Sequence, residues 1–149
     1  MLSDLLSAVG ATLVYLVMGV GLLAAGFVAL DAVTPGRLPD LVMGSRDGGV
    51  PPSMSAGLLS AAAMLATGAV VFTALWTNVQ DGLGEAVLWT LVFGLIGVVA
   101  QAASFRLVDL LTPGRLGEEI WRHPGLHPAA LLAAAAQLAT AAVVVASIA

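Results

Sequence analysis

At 149 residues, 60% of them hydrophobic and 9% charged, the chain lies far from soluble domains, which carry roughly a quarter charged residues. Its net charge of −4, with five Arg and no Lys, leaves no basic surface for nucleic acid, so no nucleic-acid partner is expected. The absence of Cys excludes disulfides and thiolate ligands.

Four apolar runs, about Leu5–Leu30, Met54–Thr77, Ala86–Val108 and Leu126–Ile148, each exceed the roughly 18 residues that mark a membrane-spanning helix. The expected fold is all-α: a polytopic membrane protein with four transmembrane helices and a single integral membrane domain over 1–149. The first run carries Asp4 and no positive charge ahead of it, and it is too long for a signal-peptide core. It is read as a retained helix.

The octapeptide DAVTPGRL (31–38) follows the first run, and DLLTPGRL (109–116) follows the third. In each, Thr34 or Thr112 suits a helix N-cap and Pro35 or Pro113 suits the first helical position, which predicts a helix starting there. The first copy contains Pro39 and should make the poorer helix, followed by a loop over GSRDGGVPPS (44–53). In the second copy PGRLGEEIWRH predicts a short amphipathic helix at the membrane interface. The second and fourth runs also match, as AAAMLATGAVV (61–71) and AAAQLATAAVV (134–144). The chain therefore reads as two tandem two-helix repeats, 1–77 and 86–149, related by a pseudo-twofold axis along the membrane normal.

All five Arg, at 37, 46, 106, 115 and 122, fall at or beside the two loops that carry the octapeptides. The other side holds Asp4, Asp81 and Glu85 and no positive side chain. The positive-inside rule places both TPGR loops in the cytoplasm and both termini outside a bacterial plasma membrane. Trp76 and Trp89 on one side and Trp121 on the other sit where an aromatic belt belongs.

Two helical hairpins, each with Asp-x-x-Thr-Pro where its first helix ends, resemble the DUF350 family of small bacterial membrane proteins. Asp31, Thr34 and Pro35 match the motif in the first copy, and Asp109, Thr112 and Pro113 match it in the second. The resemblance covers essentially the whole chain and implies no particular activity.

Asp31 and Asp109 stand at helix C-terminal ends, where the helix dipole disfavours negative charge, so each needs a compensating partner. Three arrangements supply one: a local bond to the turn backbone or to Arg37 or Arg115, a crossed pair of Asp31 with Arg115 and Asp109 with Arg37, or an ion pathway through both carboxylates. Gln101 and Gln137 are the strongly polar side chains well inside the apolar runs, at matching depth, and are expected to hydrogen-bond between the third and fourth helices. Leu23 and Met64 hold the equivalent places in the first repeat. Arg106 reads as a headgroup-snorkelling residue. His123 and His127 have a zinc-like spacing, but Pro124, Gly125 and Pro128 interrupt any helix there and no metal is expected. Glu118 and Glu119 are adjacent and point apart on a helix. Neither a G-x-S-x-G elbow nor a P-loop is present, so no enzyme and no cofactor are expected.

Small residues recur every four positions at Gly21, Ala25 and Ala29 and at Ala129, Ala133, Gln137 and Ala141, a spacing that lets helices approach closely within or between chains. The resulting expectation is a non-catalytic membrane subunit, oligomerising or accessory to other membrane proteins in the bilayer. The alternative is a small channel or transporter that uses the paired Asp turns.

Overall fold

The computed structural model describes residues 1–80, 82–112 and 125–149. Within them lie five helices and no strand: α1 Leu2–Val33, α2 Leu38–Met43, α3 Met54–Asn78, α4 Leu83–Leu111 and α5 Pro128–Ile148. The four long ones are each long and apolar enough to cross a membrane. At 1.5 Å per residue, the 32 residues of α1 reach about 48 Å and the 21 of α5 about 31 Å. A hydrocarbon layer of about 30 Å therefore fits α5 closely and requires α1 to tilt or protrude.

Each repeated turn begins by stopping a helix. Thr34 closes α1 with extended backbone angles (φ −89°, ψ 132°), and Thr112 closes α4 in nearly the same way (φ −90°, ψ 119°). Both hydroxyls donate back to the carbonyl four residues earlier, Leu30 and Val108, at 2.8 Å. This corrects the N-cap expectation for Thr34, since the next helix is capped by Arg37; the residues that Thr112 would cap lie outside the described ones. A residue before proline is driven out of the helical region by the proline ring, which ends the helix behind it, and Gly36 at φ 89°, a left-handed angle, keeps a new helix from starting at Pro35. Helix α2 begins three residues later at Leu38, with Arg37 as N-cap and Pro39 in the first turn, where its missing N–H costs nothing. Pro113 and the rest of the second octapeptide lie outside the described residues, as does the predicted amphipathic helix.

The next helix is entered through a serine. The Ser53 hydroxyl accepts the Ala56 N–H at 3.4 Å as N-cap of α3, and the Ser53 N–H donates to the Leu41 carbonyl at 2.8 Å. At the start of α5 His127 Nδ1 accepts the Ala129 N–H at 3.2 Å, and Pro128 opens the helix. Gly82 precedes α4 at φ 96°, a left-handed angle that suits glycine.

Helices α3 and α4 pack on each other, and α1 and α5 each pack against both. The main core lies at the end that carries the turns. There α2 drops Leu38 and Leu41 between the helices to join Leu30, Leu59 and Phe105, all essentially removed from solvent. Small residues of α3 and α5, Ala56, Ala63, Ala130 and Ala133, close this cluster. Midway along, three glycines mark the closest approaches. A Cβ on Gly26 would meet Thr67 Oγ1 at 2.9 Å, one on Gly94 would meet Leu22 at 2.6 Å, and one on Gly97 would meet Val70 at 3.0 Å. The outer faces carry Leu, Val and Phe, as surfaces against lipid do.

Burial does not follow the sequence repeat. Gln137 is 0% exposed, whereas Met64, its counterpart in the second run, is 44% exposed. Asp109 is buried and Asp31 only half so.

Candidate functional site

Two polar assemblies stand out: the turn that joins α1 to α3, and a cluster halfway along the bundle. In the turn, the Asp31 carboxylate accepts the Leu38 N–H, the first N–H of α2. The carboxylate sits at the C-terminal end of α1 but serves the N-terminal end of α2, which removes the dipole conflict and satisfies an N–H the short helix leaves unpaired. Of the three arrangements expected for Asp31, the local bond to backbone is present among the described residues. Arg37 lies 3.8 Å from Asp40, a largely exposed contact of little energetic weight. Arg115 lies outside the described residues, so the crossed pairing of Asp31 with Arg115 falls there too. Arg106 is exposed at the end of α4.

Beside α2 opens a cleft of about 950 Å³ whose rim carries Arg37 and Arg46 against Asp40 and Asp47, a charge-balanced set. Across the bundle at this level, buried Ser55 donates to the Gly125 carbonyl at 3.0 Å and accepts the His127 N–H at 2.9 Å. One serine thus ties the head of α3 to the lead-in of α5. Sequence reasoning passed over Ser55, and it gave His127 only a metal-binding alternative. The usable signal was the Ser-Met-Ser run at a helix start. His123 lies outside the described residues, and among those described no three His, Asp or Glu side chains gather to hold a metal.

Halfway along, Gln137 Nε2 on α5 donates to the Gln101 main-chain carbonyl on α4 at 3.1 Å. Gln101 Oε1 lies 3.3 Å from Thr67 Oγ1 on α3, and Thr67 Oγ1 also lies 2.9 Å from the Ala63 carbonyl. All three side chains are buried. The expected Gln101–Gln137 link is there, made through a main-chain carbonyl. Thr67 is the member that sequence reasoning used only as a marker of the repeat. In the α5 stripe Ala133, Gln137 and Ala141 are buried inside the chain, whereas Gly21 on α1 is exposed.

The far half of α1 is different again. Residues 1–10 are all exposed. Two apolar clefts flank the helix: about 450 Å³ between Leu13, Val17 and Met18 and the α4 residues Val87 and Leu91, and about 300 Å³ between Tyr15 and the α3 residues Phe72, Leu75 and Trp76.

Four apolar helices and two Thr-Pro helix stops preceded by Asp agree with a family profile that matches residues 4–148, that of the Domain of Unknown Function DUF350. The chain belongs to the DUF350 family. Among its relatives is a UPF0719 transmembrane protein of Mycolicibacterium paratuberculosis (strain ATCC BAA-968 / K-10), 31% identical over 147 residues, which span 99% of this chain and 92% of that one. UPF0719 transmembrane proteins of Mycobacterium bovis and Mycobacterium tuberculosis are also 31% identical, over 99% of this chain and 91% of theirs. No solved structure matches this DUF350 chain. It is a multi-pass membrane protein of a family whose activity is uncharacterised.

Proposed function

We propose that this DUF350 protein is a non-catalytic membrane subunit that assembles with copies of itself or with other membrane proteins. It sits in the bacterial plasma membrane with both termini outside and both turns in the cytoplasm, as the one-sided placement of its five Arg favours. The two hairpins are a duplicated unit, which the matching helix stops at Thr34 and Thr112 support.

The observation that carries the assembly reading is α1. It is the longest of the described helices, and only 22% of its most apolar window is buried, as in α5, against 33% for α4 and 50% for α3. Its far half projects Leu13, Leu16, Val17 and Val20 outward beside two apolar clefts. Lipid covers apolar surface as such, but a neighbouring helix fills a cleft between helices with better packing. Native mass spectrometry of the protein gently extracted from its own membrane tests this. A discrete homo-oligomer or a stoichiometric second protein is expected, and a bare monomer under all mild conditions contradicts it.

The channel alternative through the paired Asp turns draws less support. The Asp31 carboxylate is engaged by the Leu38 N–H, and the buried, apolar Phe105 lies along α4 between Asp109 and Gln101. Charge-neutral Asp31→Asn with Asp109→Asn is expected to alter assembly and leave ion flux unchanged.

A further inference from the structure

The polar cluster halfway along the bundle has hydrogen-bonding capacity left over. Among the described residues, Gln101 Nε2 and Gln137 Oε1 are fully buried and have no hydrogen-bond partner. These side chains are 5% and 0% exposed. In a membrane interior no bulk water compensates such groups, and each carries a cost comparable to a lost hydrogen bond.

Proton counting sharpens the point. Thr67 has one hydroxyl proton and two acceptors within reach, the Ala63 carbonyl at 2.9 Å and Gln101 Oε1 at 3.3 Å. If the proton goes to the closer Ala63 carbonyl, Thr67 Oγ1 is best served by the NH2 of the Gln101 amide. The amide oxygen of Gln101 is then the group left over, facing the same need as Gln137 Oε1. If the proton goes to Gln101, the leftover pair is one donor and one acceptor. A single water answers both cases, since it can donate two protons or donate one and accept one.

We propose that Thr67, Gln101 and Gln137 form a binding site for one resident water molecule at the middle of the membrane. The site is shared by α3 of the first hairpin and both long helices of the second, so the water helps to hold the hairpins together. Along the helices, buried Phe105 lies one turn from Gln101 toward the turns, about 6 Å along α4, and buried Val70 and Val98 lie about one turn from Thr67 and Gln101 toward the far end. Apolar residues thus flank the site along α3 and α4, which does not favour a file of waters crossing the bundle. A metal cation fits less well, because the donors here are neutral and Asp109 lies two helical turns away. This site stands whether or not the chain assembles.

The chain has three glutamines, Gln80, Gln101 and Gln137, so selective 15N-glutamine labelling of the full protein in nanodiscs gives three side-chain amide groups. The exposed Gln80 serves as the internal control for exchange with bulk. The expected result is a negative, long-residence water cross-peak at the Gln101 and Gln137 amides, unchanged when sodium is replaced by thallium. Gln137→Met should abolish the cross-peak at Gln101 and leave Gln80 as it was. If that variant does not fold, the wild-type spectrum decides alone. Amides that show only protein cross-peaks, or shifts at Gln101 and Gln137 that titrate with thallium, overturn the proposal.

Discussion

The two ends of this bundle are built differently. At the turn end, α2 inserts Leu38 and Leu41, Asp31 accepts the first N–H of α2, and Ser55 binds the lead-in of α5. At the far end, α1 leaves residues 1–10 exposed and stands beside two apolar clefts. Among the described residues, the polar hydrogen bonds that join separate elements lie at the turn end and at the Thr67–Gln101–Gln137 level, while the clefts beside α1 in the far half are apolar. A membrane protein has little hydrophobic drive to hold its helices together once lipid is the competitor, so close packing and polar contacts must do it. The end that has both is the end that defines the fold. The other end is left available.

This contrast can be broken by substitution, beginning at the turn end. Phe105→Ala empties the centre of the main cluster and should cost about 3–5 kcal/mol of folding stability, read by steric trapping in bicelles. An effect below about 1 kcal/mol would show that the cluster is not what holds this end. Gly94→Ala drives a Cβ into Leu22 where α1 crosses α4, and the same assay should report a loss of about 1–3 kcal/mol. Ser55→Ala deletes the bond to Gly125 and leaves the His127 N–H without its acceptor, for about 1–3 kcal/mol. At the bottom of the scale, Arg37→Ala removes an exposed contact with Asp40 and should change stability by less than about 1 kcal/mol. A larger loss on Arg37→Ala would point to a partner for Arg37 beyond Asp40.

Much of this was legible in the residues. The four spans follow from run length, and DUF350 membership follows from the doubled Asp-x-x-Thr-Pro. The Gln101–Gln137 link follows from two polar residues at equal depth. The turn was misread because Thr-Pro fits two local rules, a helix start and a helix stop. In the first copy Thr34 ends α1, and the left-handed Gly36 delays the next helix to Leu38. The Ser-Met-Ser run could flag Ser55, but its partners could not be read because they are about 70 residues away, at Gly125 and His127. The different burial of Met64 and Gln137 was equally hidden. A repeat in sequence aligns residues along a helix, but which face turns inward is set by the neighbours, and α3 packs on three long helices where α5 packs on two.

The most direct test of assembly through the open end uses the absence of native cysteine. Single cysteines are placed at Leu13, Val17 and Leu110, all exposed, and oxidised in native membranes. The account predicts a disulfide-linked species of defined size for Leu13→Cys and Val17→Cys and none for Leu110→Cys. No cross-linked species at Leu13 or Val17, or equal cross-linking at all three positions, would contradict it.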